Sequence, residues 1–196
     1  MKNSRYPTYD VMSHKDAWDG HTQSIVASRL EGVAQFSALS LEEAEMLRAI
    51  CSILAGDDRA DLIQFVVSHI DRSLSQPAGE SERKPGVPKA GELLHTGLQL
   101  LDKWCLAAHQ RTFISLPEDQ QTSIVSDLSS GRLPFPAEWA FPQKAFFNKL
   151  LTWTVESYYS HPTVWSEIGY GGPAYPRGYV RANIGQLDPW EAKAEP

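Results

Sequence analysis

The side chains that could bind a metal are dispersed along the chain. The six histidines form no H-E-x-x-H pattern, which would place two ligands and a base on one helix face. The two cysteines form no C-x-x-C pair, and no C-x-x-C-H haem attachment is present. We therefore expect no metal site among the histidines, which are His14, His21, His69, His95, His109 and His161.

The candidate nucleophiles and acid–base groups are equally unpromising. Cys51 and Cys105 each fall on the apolar stripe of a predicted helix, where a thiol is inert packing. No G-x-S-x-G element is present. The acidic run at residues 57–61 stands at the start of a predicted helix, where such residues are ordinarily a solvated cap. Glu156 lies on the narrow polar strip of the helix predicted over 142–160. The sequence predicts no catalytic residue.

One glycine-rich stretch, Gly169 to Ala174, satisfies the dinucleotide-binding pattern G-x-G-x-x-A. That pattern works only between a strand and the N-terminus of a helix, which receives the pyrophosphate. Here a helix precedes the stretch, and Pro173 and Pro176 prevent a helix from following. We interpret the stretch as a turn that lets the backbone pass close to another surface, and we expect no cofactor in this chain.

Composition limits the class of protein. The 196 residues, 42% hydrophobic and 21% charged, suit one globular domain. The net charge of -6 and the absence of a basic run argue against nucleic-acid binding. The apolar runs are too short for a transmembrane helix. The first twenty residues do not resemble a secretory signal, and two free cysteines favour a reducing compartment. We expect a cytoplasmic protein, or a periplasmic one if a partner carries the export signal.

Hydrophobic periodicity predicts an all-α fold, an irregular bundle of about six helices. Ser40 and Glu43 form a capping box, Gly56 and Gly131 end helices, and the polar residues of the third helix, including Ser68 and Asp71, face solvent. Residues 75–91 form a surface loop. The helices cover about residues 16–31, 40–55, 58–74, 92–110, 117–130 and 142–160. Within one domain, we distinguish an N-terminal extension (1–38), a helical core (39–162) and an ordered irregular C-terminal segment (163–196).

The last third of the chain is aromatic. The helix over 142–160 is apolar nearly all round, so it is either the central helix of the bundle, which we favour, or lies between this subunit and another. Beyond it, glycine and proline prevent long regular structure, yet aromatic residues continue to Trp190.

Residues Phe146 to Val180 resemble the C-terminal signature of the gluconate 2-dehydrogenase subunit 3 family. That signature has a helix with a double-aromatic start, an aromatic-aromatic-Ser-x-Pro end, a Trp and an Ile-Gly-aromatic-x-Gly turn. The resemblance extends upstream to Leu39. The matching residues are Phe146, Phe147, Tyr158, Tyr159, Ser160, Pro162, Trp165, Ile168, Gly169, Tyr170 and Gly171.

The resemblance implies an accessory role. Members accompany a large FAD-binding subunit of the glucose–methanol–choline (GMC) oxidoreductase type, which oxidises a CH–OH group of a sugar, sugar acid or glycoside, and often a cytochrome c that accepts the electrons. The small subunit would be non-catalytic and would stabilise or mature the flavoprotein, with FAD in the partner. Many members carry a twin-arginine signal, which this sequence does not show.

The C-terminal segment would contact the flavoprotein, because aromatic residues and Arg anchor interfaces. The predicted contact residues are Trp165, Tyr170, Tyr175, Arg177, Tyr179, Arg181 and Trp190. The alternatives are that these aromatics cover the sixth helix, and that the chain is a free-standing helical binding or chaperone module.

Overall fold

A computed structural model describes residues 4–32, 35–76, 84–178, 180–181 and 183–194. These residues form seven α-helices and no strand, which confirms the all-α prediction. The helices are α1 (Gly20–Ser28), α2 (Leu41–Ala55), α3 (Ala60–Ser75), α4 (Ala90–His109), α5 (Glu118–Ser130), α6 (Gln143–Tyr158) and α7 (Pro162–Ile168). Three 3₁₀ helices cover Val11–Ala17, Phe113–Ser115 and Ala137–Trp139.

The chain groups into two compact units. A helical unit comprises Val33–Ser157, and a terminal unit comprises Met1–Gly32 together with Tyr158–Pro196. Their boundaries lie close to the predicted divisions after residues 38 and 162, but the sequence did not indicate that the two ends of the chain fold together. In the part of the chain that the structure describes, no helix is both long and apolar enough to span a membrane.

In the helical unit, α2 packs against α3, α4 and α5. The predicted capping box is present: the Ser40 hydroxyl accepts the Glu43 N–H at 3.1 Å, and the Glu43 carboxylate accepts the Ser40 N–H at 2.9 Å. The second Glu43 oxygen lies 2.6 Å from Nδ1 of His95 on α4. Gly56, with φ 58°, ends α2 as predicted. One side chain therefore both caps α2 and joins it to α4.

The polar face predicted for α3 is partly wrong, because Ser68 and Asp71 are buried. Asp71 is only 3% exposed, and its carboxylate accepts hydrogen bonds from the backbone N–H groups of Ser37, Ala38 and Leu39. This carboxylate holds the chain that leads into α2. The predicted loop over 75–91 lies partly outside the described residues.

Helix α6 is buried along one ridge and exposed along the next. Phe146, Leu150 and Thr154 are buried, and the Thr154 hydroxyl lies 3.3 Å from the Cys51 sulfur. In contrast, Leu151 is 36% and Val155 42% exposed. The favoured prediction of a central helix is therefore wrong, because a central helix would bury both ridges. The alternative, a helix with a face available to another subunit, remains.

Gly97 lies where α4 meets the Phe146 ring. A Cβ placed on Gly97 would be 2.5 Å from this ring. We expect Gly97→Ala to lower the free energy of unfolding by about 1–3 kcal/mol, because overpacking outweighs the gain in helix propensity. Denaturant unfolding followed by circular dichroism measures the change. Gly91→Ala on the same helix is the control: its Cβ would meet a Leu74 methyl at an ordinary 3.6 Å. Equal stability of the two variants would contradict the prediction.

The terminal unit has its own hydrophobic core, formed by Val11, Trp18, Val26 and Trp165. Its helices differ from the prediction of one helix over 16–31. A 3₁₀ helix over Val11–Ala17 ends at Trp18, whose backbone is extended. Helix α1 then begins after Asp19, whose carboxylate accepts the N–H groups of His21 and Thr22.

Helix α7 was not predicted. His161 Nδ1 accepts the Thr163 N–H at 3.2 Å, Pro162 occupies the first turn, and Gly169 ends the helix with φ 74°. A helix of seven residues fits between the prolines and glycines that the sequence analysis interpreted as irregular structure.

Candidate functional site

The residues predicted to contact a partner fall into different environments in the terminal unit. Tyr175 and Tyr170 are 71% and 43% exposed. Arg181 is exposed, with Nη1 3.2 Å from the Glu191 carboxylate. Trp190 and Arg177 are half-buried. Tyr179 lies outside the described residues.

Trp165 is 5% exposed, so its predicted role as a contact residue needs correction. Its indole N–H donates to the Tyr159 carbonyl at 2.6 Å, and the Tyr170 ring meets its ring edge-on with centroids 5.4 Å apart. The guanidinium of Arg29 lies 5.3 Å from the ring centroid and donates to the Ser160 carbonyl at 2.7 Å. Trp165 is thus a core residue that supports the exposed rings next to it.

Arg177 also points into its own unit. Its guanidinium carbon lies 4.6 Å from the centroid of the Trp190 ring and 5.7 Å from that of the Trp18 ring, and Nη2 donates to the Gly171 carbonyl. Cation–π contacts of this kind hold an arginine in place. The predicted pairing of Arg177 with a partner's carboxylate therefore does not match its position.

Several exposed apolar residues of the terminal unit are not among the predicted contact residues. Tyr159 and Ile168 are about half exposed, and in the sequence they precede and follow the buried Trp165. Basic and acidic residues nearly balance in this unit, whereas the helical unit carries most of the net charge of -6. Aromatic residues such as Tyr are enriched in the cores of interfaces. The exposed large apolar residues of the terminal unit are Ile25, Leu30, Tyr159, Ile168, Tyr170, Tyr175, Val180, Ile184 and Leu187.

The glycine-rich stretch, Gly169 to Ala174, packs closely against aromatic rings of the terminal unit. Gly169 and Gly172 have φ of 74° and 76°, and a Cβ at either would lie 2.6 Å from a ring, that of Tyr6 or of Trp18. Gly171 lies against Trp190. The interpretation of the stretch as a turn in close contact with another surface fits this packing.

The helical unit contains a cavity of about 650 Å³ where the chain enters α2. Its one charged lining residue, Arg48, donates to Glu45 and, at 2.5 Å, to the Gln64 side-chain carbonyl. The guanidinium is therefore already held by neighbouring side chains. Among the described residues, no group of three or more His, Cys, Asp or Glu could hold a metal ion.

Both thiols are buried, and burial raises the pKa of Cys51 and of Cys105 to about 12. The Asp102 charge adds to the shift at Cys105. Thiolates rather than thiols react with alkylating agents.

We expect neither thiol to react with iodoacetamide at pH 8 while the protein is folded, and both to react in urea. Mass spectrometry after timed quenching counts the adducts. Alkylation in the folded protein at the rate of a free cysteine would show that the buried positions are wrong.

Comparison with known protein families gives a match. The family model described as gluconate 2-dehydrogenase subunit 3 matches residues 41–172, about two thirds of the chain, within the span predicted from the sequence. No curated protein and no solved structure matches. The matched region includes α2 to α7 and the glycine turn through Gly172. On this evidence, the chain belongs to the gluconate 2-dehydrogenase subunit 3 family.

Proposed function

We propose that this chain is the non-catalytic small subunit of an FAD-dependent dehydrogenase complex that oxidises a CH–OH group of a sugar, sugar acid or glycoside. The family match supports a dehydrogenase subunit and carries the proposal. The large subunit is a GMC-type flavoprotein that contains the FAD, and the family resemblance offers a cytochrome c as one electron acceptor. The small subunit stabilises or matures this flavoprotein. Two free thiols favour a cytoplasmic complex.

The proposed contact surface consists of Tyr159, Ile168, Tyr170 and Tyr175. The Tyr170 ring packs edge-on against the buried Trp165 ring, and the Tyr159 ring packs edge-on against the buried Tyr158 ring, with centroids 5.3 Å apart. Rings fixed in this way lose little conformational entropy on binding, which makes them suitable interface anchors. Arg181 and Trp190 are not part of this proposed surface, although the sequence predicted them as contact residues. Tyr179 remains a predicted contact residue outside the described region.

Co-expression tests the proposal. A flavoprotein encoded next to this chain is produced with and without it, and the tagged small subunit is purified. We expect the flavin absorption band to co-purify with the small subunit, and the soluble yield of the flavoprotein to fall when the small subunit is omitted. The small subunit alone should be colourless. Stoichiometric flavin on the isolated chain would overturn the accessory role.

The second candidate, a free-standing binding or chaperone module, rests on the same exposed apolar surface. It predicts a different result in the same experiment. The soluble yield of the flavoprotein would rise with the small subunit present, but the two proteins would separate during gel filtration. Co-elution at micromolar concentration would exclude this candidate.

A further inference from the structure

The two ends of the chain are joined by specific hydrogen bonds. We define the N-terminal segment as residues 4–29 and the C-terminal segment as residues 160–191. The Ser4 hydroxyl donates to the Glu167 carbonyl at 2.7 Å, and the Val11 N–H donates to the Ser166 hydroxyl at 3.1 Å. The Tyr9 hydroxyl donates to the Trp190 carbonyl at 2.7 Å. These bonds reach α7 and the far end of the C-terminal segment.

Aromatic rings supply the apolar part of the same contact. Tyr6 lies against Gly169 and Trp18 against Gly172, at positions where no side chain would fit. Trp18 and Trp165 share one core. Two backbone carbonyls of the C-terminal segment, those of Glu167 and Trp190, accept hydrogen bonds from the N-terminal segment.

Arg177 links the two segments at one point. It lies between Trp18 of the N-terminal segment and Trp190 of the C-terminal segment, and it donates to the Gly171 carbonyl. A planar guanidinium can stack on both rings and still donate a hydrogen bond, which the Lys ammonium cannot do as well.

Residues outside the family match provide much of this arrangement. The match ends at Gly172 and begins at Leu41, so the whole N-terminal segment lies outside it, as do Arg177 and Trp190. The matched helix α7 and glycine turn are thus held by residues from both flanks of the matched region.

We propose that the N-terminal segment is an internal template that fixes the conformation of the C-terminal segment, with Arg177 as the residue that clamps the two together. In this way the N-terminal segment sets how Tyr170 and Tyr175 are presented. The role of these two tyrosines in a contact rests on the proposed function, but the template itself does not.

The test uses the full chain with a protease site inserted between the exposed residues Glu31 and Gly32. After complete cleavage, we expect the N-terminal fragment to co-elute with the rest of the chain in gel filtration. Amide exchange over residues 165–178 should stay as slow as in the uncut protein. Release of the fragment from the cut wild-type chain would overturn the proposal, and this result is independent of any partner.

Variants identify the clamp. In the cut chain, Trp18→Ala should release the fragment and speed amide exchange over residues 171–178 at least tenfold, and Trp18→Phe should restore part of the protection. Arg177→Gln should have the same effect as Trp18→Ala. Arg181→Gln is the control, because its ion pair with Glu191 is at the surface, and it should change exchange less than twofold. Unchanged protection in Arg177→Gln, or equal effects of the two arginine variants, would show that Arg177 is not the clamp.

Discussion

Replacing Asp71 by alanine should lower the free energy of unfolding of the helical unit by about 2–4 kcal/mol, because one buried and two part-buried backbone N–H groups lose a charged acceptor. The carboxylate accepts the N–H groups of Ser37, Ala38 and Leu39 at 2.8–3.1 Å and the Ser37 hydroxyl at 2.9 Å. A buried N–H that loses its partner costs about 1–3 kcal/mol, and charged acceptors give the stronger bonds. Denaturant unfolding measures the loss.

The same carboxylate makes stability depend on pH. Burial alone would raise the pKa of Asp71, but the hydrogen bonds from Ser37, Ala38 and Leu39 outweigh it and lower the pKa below its ordinary value. A group with a lowered folded-state pKa stabilises the protein above its unfolded pKa, about 3.9 for Asp. This contribution is lost as the pH falls through the folded-state pKa.

Asp61→Asn is the matched control for Asp71→Asn, because Asp61 is an exposed acid in the first turn of the same helix. We expect unfolding at pH 7 to show a large loss for Asp71→Asn and less than about 0.5 kcal/mol for Asp61→Asn. Between pH 5 and pH 2, wild type should approach the Asp71→Asn variant in stability. Parallel stability curves over that range would contradict the assigned role of the carboxylate.

Local signals predicted the helical unit well, and Asp71 shows where they stop. The Ser40–Glu43 capping box and the glycines that end α2 and α5 act within a few residues, so the sequence places them correctly. Asp71 belongs to the polar positions of α3 by periodicity, yet it is buried because its partners, Ser37 to Leu39, lie more than thirty residues earlier. Periodicity distinguishes polar from apolar positions, but it does not reveal a distant backbone donor.

The terminal unit was predicted least well, for the same reason. A helix signal for α7 was present in His161, Pro162 and Gly169, which are suitable N-cap, first-turn and C-cap residues, but the density of glycine and proline concealed it. The pairing of the two chain ends depends on contacts between residues about 150 positions apart, such as Val11 with Ser166. Aromatic composition indicated that the C-terminal segment packs on something, without indicating that this is the N-terminal segment.

Composition also did not distinguish buried from exposed residues among the predicted contact residues. Trp165 and Tyr175 are both aromatic residues of one segment, and composition treats them alike. The structure separates them, because Trp165 is in the core of the terminal unit and Tyr175 is exposed. The two residues should therefore give opposite results when they are replaced.

Trp165→Ala should destabilise the terminal unit by about 3–5 kcal/mol, because it removes a large core ring and the hydrogen bond to the Tyr159 carbonyl. Thermal unfolding of the isolated small subunit, followed by near-ultraviolet circular dichroism, measures the loss. The Trp165 side chain does not reach the surface, so the folded fraction should lose affinity for the flavoprotein only because the Tyr170 ring that packs on it is loosened, and this loss should be smaller than that of Tyr170→Ala.

Tyr175→Ala and Tyr170→Ala should instead weaken association with the flavoprotein by about 2 kcal/mol or more, roughly thirtyfold in Kd, with little change in the melting temperature. Titration calorimetry with the purified flavoprotein measures the affinity. Leu106→Ala is the control, because Leu106 is an exposed apolar residue of α4 in the acidic helical unit, and we expect it to leave Kd within threefold. If Leu106→Ala weakens binding as much as the two tyrosine variants, or if Trp165→Ala loses affinity without losing stability, the contact surface is not the one formed by Tyr159, Ile168, Tyr170 and Tyr175.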